Sequence, residues 1–110
     1  MNKIFSLTAE EDFSLVIRRG RRAENQFFRM SWILNNLNLS RYAFVVPKSV
    51  DKRATVRNRL RRMAKEWVRK NIQKRNIHQD MIISIKKESL NLPRNKFYEE
   101  LAKIFRNSAG

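Results

Sequence analysis

The chain has 110 residues, the length of one ordinary domain, and carries 25 Lys+Arg against 10 Asp+Glu, a formal net charge of +15. It has no cysteine, which excludes a disulfide framework, thiolate metal ligands and a cysteine nucleophile. Hydrophobic residues make up 42% of it, enough for a core, yet no stretch nears the roughly 20 apolar residues of a membrane-spanning helix. Met1–Leu7 lacks the apolar run of a signal peptide, so a cytoplasmic location is expected. One domain over 1–110 is expected, with 1–7 and 107–110 loose at its ends.

Thr8-Ala-Glu-Glu11 has the spacing of a capping box, which starts a first helix at Thr8. Glu10, Glu11 and Asp12 suit the positive end of its dipole, and Arg18 and Arg19 suit the negative end. Phe13, Val16 and Ile17 form its apolar stripe, and Gly20 stops it. Phe28, Met30, Trp32 and Leu34 alternate with Arg29, Ser31 and Ile33, the pattern of a strand with one apolar face. Phe27 and Phe28 point to opposite faces, which leaves one of them for a ligand. Arg41–Val46 is a second strand, closed by Pro47.

Ala54–Lys74 reads as the longest helix. At 100° per residue, Val56, Leu60, Met63, Ala64 and Trp67 share one stripe, with Asn58, Arg62, Lys65 and Arg69 opposite. Met81–Ile85 is short and almost wholly apolar, which suits a central strand. Pro93 suits the first turn of a last helix, whose apolar face is Phe97, Leu101, Ile104 and Phe105. The element order α-β-β-(β)-α-β-α makes an α+β domain, a small mixed sheet carrying helices.

The charge is concentrated. Lys48–Arg75 holds twelve Lys and Arg against Asp51 and Glu66, so it carries ten of the fifteen surplus charges. A solvated helix intersperses acids at i+4, and this segment has almost none. Arginine forks grip phosphates with two hydrogen bonds, so a nucleic acid is the expected partner. A membrane is not expected, because the apolar stripe has the size a core needs. His78, the sole histidine, has only Asp80 beside it, and Gly20 and Gly110 are the only glycines. Neither a metal site nor a phosphate loop follows, and no catalytic residue is expected on the protein.

Val56-Arg57-Asn58-Arg59-Leu60-Arg61-Arg62 resembles the Arg-Asn-Arg motif of the bacterial ribonuclease P protein subunit. Glu11-Asp12-Phe13 with Val16 and Gly20, Phe44-Val45-Val46-Pro47-Lys48, and Met81-Ile82-Ile83 resemble other segments of that family in the same order. The resemblance implies a ribosomal-protein-S5-domain-2-like fold with a left-handed βαβ crossover. It implies a ribonucleoprotein in which a catalytic RNA subunit, holding Mg2+, removes the 5′ leader of precursor tRNA, with no protein partner required. It also implies that Arg57, Asn58, Arg59, Arg61, Arg62, Lys65 and Arg69 bind RNA, and that Phe13, Ile17, Phe28 and Lys48 line a leader cleft. Ile17 stands where an aromatic is frequent, and Ser31 where that cleft often has Tyr. A structural or ribosomal RNA-binding protein and a DNA-binding module are the alternatives.

Overall fold

A computed structural model describes residues 4–72 and 78–106. Its strands are β1 (Phe5–Ser6), β2 (Arg21–Glu24), β3 (Phe28–Leu34), β4 (Arg41–Val45) and β5 (Gln79–Ile85). Its helices are α1 (Glu10–Arg19), α2 (Ala54–Asn71) and α3 (Arg94–Arg106), with a single 3-10 turn at Lys87–Ser89. The strands form one mixed sheet in the order β1-β4-β5-β3-β2. β4 and β5 run parallel, so the chain must cross over between them, and α2 makes the crossing. β3 pairs antiparallel with β5 and with β2.

The α+β architecture and the central place of Met81–Ile85 are as the sequence predicts. Two strands are additional. Phe5–Ser6 pairs with Arg41–Tyr42, and Leu7 behind it is 4% exposed, so this part of the expected loose N-terminus is held in the fold. Arg21–Glu24 makes a hairpin with β3, whose turn is formed by Asn25: its Oδ1 accepts from the backbone N–H groups of Phe27 and Phe28 at 2.9 and 2.8 Å. The ends 107–110, and Lys74 at the expected end of the long helix, lie outside the described residues.

Alternation along β3 and β5 sorts the core into two layers. Phe28, Met30 and Trp32 join Met81, Ile83 and Ile85 under α2 and α3, and Leu60, Ala64, Val68, Phe97, Leu101, Ile104 and Phe105 cover them. The opposite face is smaller, with Val16 and Leu7 buried against Ile82 and Phe13, Ile33, Ala43 and Val45 partly covered around them. A polar cluster ties α1 to this second face. Arg41 on β4 donates from Nε and Nη2 to the Asp80 carboxylate at 2.9 and 2.6 Å, and from Nη1 to Asp12 at 3.2 Å. Asn35 donates to the same Asp80 at 2.8 Å. Asp80, itself buried, therefore belongs to a partly buried ion pair.

The ends of α1 differ from the sequence reading. Its N-cap is Ala9, with no side-chain cap, so the box from Thr8 to Glu11 does not form. Gly20 does end the helix, but at φ −72°, a conformation open to any residue. What requires glycine is space: a Cβ there would lie 2.4 Å from the Val16 carbonyl oxygen and 2.8 Å from that of Trp32.

Candidate nucleic-acid interface

The loop that leads into α2 is built around Asp51. Its carboxylate accepts from the Arg53 backbone N–H at 2.8 Å and from the Arg53 guanidinium at 3.1 and 3.0 Å. The Arg53 side chain, and then its backbone N–H, hold Asp51 down to a pKa of about 2. Arg57 reaches back one turn and donates from Nη1 to the carbonyls of Asp51 and Lys52 at 2.9 and 2.8 Å. Val50, 5% exposed, plugs the loop into the core. The start of the basic helix is thus fixed relative to the sheet.

Along α2, Leu60, Ala64 and Val68 are fully buried, while Val56, Met63 and Trp67 sit at the margin of the core. Trp67 packs against Phe105 with ring centroids 5.4 Å apart. The opposite face presents Asn58, Arg59, Arg62 and Lys65 to solvent. No described acid lies within ion-pair distance of Arg59, Arg62 or Lys65. Arg57 and Arg61 are half-buried, and Arg61 donates to the Asn58 side-chain oxygen. Arg69 is paired with Glu66 at 2.5 Å, which holds the Glu66 carboxyl below its usual range. The seven residues expected to bind RNA therefore share one helix. Of these seven, Arg59, Arg62 and Lys65 are the exposed cations, and Arg57 and Arg69 also have structural partners.

The four residues expected in a leader cleft are not brought together. Phe13 is half-buried on α1, and Ile17 is 40% exposed beside it. Phe28 is 0% exposed and lies on the other side of the sheet, edge-on to Phe97 at 5.1 Å, so it cannot line a cleft against α1. The reason is parity: Phe28 shares its face with Met30 and Trp32, whereas Arg29 and Ser31 face α1. Phe27 is half-buried and packed against the same core, so neither phenylalanine is fully open to a ligand. Lys48 is exposed in the loop before α2.

A groove of about 350 Å³ does lie on the α1 side, lined by Ile17, Arg22, Ala23, Glu24, Arg29 and Ser31. Arg22 donates to the Ile17 carbonyl at 2.9 Å, capping the end of α1. Glu24 accepts from Lys86 and from Arg29, the latter at 3.4 Å, and Lys86 first and then Arg29 hold its carboxyl below the usual range. These β2 residues escaped the sequence reading. Asn25 before the aromatic run was the available signal, since asparagine side chains nucleate turns.

The family model described as Ribonuclease P matches residues 1–109. The ribonuclease P protein component of Fusobacterium nucleatum is 31% identical over 94% of this chain and 96% of its own length. That of Vibrio vulnificus is 33% identical over 94% of this chain and 84% of its own. Two solved structures share the fold. The Staphylococcus aureus RNase P protein superposes with a TM-score of 0.87 at 18% identity over 96% of both chains. The RNase P protein from Thermotoga maritima gives 0.82 at 24% identity, over 93% of this chain and 96% of that one. With the fold, the order of motifs and the near full-length sequence match in agreement, this chain belongs to the ribonuclease P protein family.

Proposed function

We propose that the chain is the protein subunit of a ribonuclease P ribonucleoprotein, working in the cytoplasm on precursor tRNA. It binds the catalytic RNA through the outer face of α2 and assists removal of the 5′ leader. The observation that carries this reading is that face itself: Asn58, Arg59, Arg62 and Lys65 stand exposed in a row, with no described acid paired to the three cations. Such an array attracts a phosphate backbone and releases its counterions. A loop locked by Asp51 and Arg57 supports it as a rigid platform. The leader is read as running along the α1 side of the sheet, where Phe13, Ile17, Arg22 and Arg29 give an apolar wall and cations.

The phosphodiester hydrolysis falls to the RNA in this reading. Among the described residues no group of three or more His, Cys, Asp or Glu is placed to hold a metal. Mg2+ is read as held mainly by the RNA, and no step is routed through protein ligands. Among the described residues, no helix is long and apolar enough to cross a membrane.

The test is cleavage of a 5′-leadered precursor tRNA by ribonuclease P RNA at low magnesium, with and without the chain. Strong stimulation is the expected result. Binding to that RNA with no stimulation, even for the RNA from the same source, would replace this reading with a structural RNA-binding role.

A further inference from the structure

Between α2 and the β1–β4 edge of the sheet runs a groove of about 480 Å³, within the roughly 300–1,000 Å³ range of small-ligand sites. One wall is aromatic. Tyr42 and Phe44 lie along β4 with rings 6.3 Å apart and 19° from parallel, and the partly exposed Phe44 lines the groove. The other wall is cationic, made by Arg61, Arg62 and Lys65 from α2. Among the described residues no acid lines it, whereas the grooves at β2, at Ile17 and between α2 and α3 each include a glutamate. An aromatic face opposite a row of cations is the arrangement that takes an unpaired nucleotide: the base stacks and the phosphate pairs.

We propose that this groove is a single-nucleotide site in which an unpaired base of the bound RNA stacks on Phe44 and its phosphate rests on Arg62 and Lys65. The site rests on the RNA-binding reading and deepens it. It makes α2 a reader of single-stranded character on its β4 side, in addition to a phosphate-binding rod. Arg61 completes the cationic wall and donates to the Asn58 side-chain oxygen. An extended strand fits the groove better than a duplex, because a paired base cannot turn its face to Phe44.

The test uses the full chain with two probes, single-stranded hexa-adenylate and inorganic polyphosphate of similar charge. Phe44→Leu keeps apolar bulk but removes the ring. It is expected to weaken hexa-adenylate binding about fivefold or more and to leave polyphosphate binding unchanged. Arg62→Ala is expected to weaken both. Should Phe44→Leu fail to fold, the wild-type protein decides: the Phe44 ring resonances are expected to move upfield with hexa-adenylate and to stay in place with polyphosphate. Equal response to both probes, or no response of Phe44 to either, overturns the site. If Phe44 is silent while the chain still stimulates precursor cleavage, only the nucleotide site falls. If hexa-adenylate does not bind and cleavage is not stimulated, the RNA-binding reading falls with it.

Discussion

The two faces of the sheet solve different problems. The face under α2 and α3 is closed by large side chains, with Phe28, Phe97, Met30, Leu60 and Met81 fully buried. The face under α1 buries the smaller Leu7, Val16 and Ile82 and is completed by polar and charged groups: Asp12, Arg41, Asp80 and Asn35 at one end, Arg22, Glu24 and Arg29 at the other. Apolar burial supplies most folding free energy. The first face can therefore carry stability and free the outside of α2 for Arg59, Arg62 and Lys65, which have no acidic partner among the described residues. The second face keeps open surface at the cost of a weaker layer.

Core truncations test the division most sharply. Phe97→Ala removes the ring that meets Phe28 edge-on and is expected to cost about 3–5 kcal/mol in denaturant unfolding. Trp67→Ala, at the margin beside Phe105, is expected near the low end of that range of about 3–5 kcal/mol, since its ring is only half-buried. A larger loss from Trp67 than from Phe97 would put the centre of the core further towards α2.

On the second face, Asp80→Ala leaves Arg41 with Asp12 alone, a longer and more exposed contact. Deleting the carboxylate from this partly buried pair is expected to cost about 1–3 kcal/mol, and urea unfolding should reveal it. If the loss is within error, the ions are incidental and Val16 with Ile82 suffices. Gly20→Ala comes next, with an expected cost of about 1–3 kcal/mol, because the new methyl group meets two backbone carbonyls that cannot rotate away. A stable Gly20→Ala protein would mean that the α1–β2 junction gives way.

How far these contrasts could be read from the sequence depends on length. The 18-residue α2, the 13-residue α3 and the 7-residue β3 repeat their apolar pattern often enough to reveal both type and buried face, and β5 is marked by its unbroken apolar run. The 2-residue β1 and 4-residue β2 have no period to detect; their pairing partners place them. The α2 cations were legible because a helix collects them by spacing alone. The α1-side groove was not, because its walls come from three elements and its register from β2–β3 pairing. Phe28 illustrates the gap. Its neighbours already gave its parity, but only the packed layers reveal that this parity is the α2–α3 side.

For the exposed face of α2 the sign of the comparison reverses. Arg62→Ala should change stability by no more than about 0.5 kcal/mol, as an exposed side chain without an acidic partner among the described residues. Its effect should appear in RNA affinity, where loss of one phosphate contact lowers the salt slope by about one unit. Loss of stability with an unchanged slope would make Arg62 a structural residue.

The smallest effect belongs to the loop that orients this face. Asp51 is held at a pKa of about 2, first by the Arg53 side chain. Its folded value lies below its unfolded one, so its contribution is complete above the ordinary carboxylate range and is lost as pH falls from about 4 towards 2. The pair is largely solvated on the Arg53 side, which limits its worth for global unfolding. The place to look is local: amide exchange at Arg53 and Val56 should accelerate as pH falls through that window, once corrected for the intrinsic rate. Asp51→Asn should show faster exchange at neutral pH while the β5 amides stay protected. Uniform acceleration across the protein would mean that the loop is part of the global fold, and that the platform under the RNA-binding face has no independent anchor.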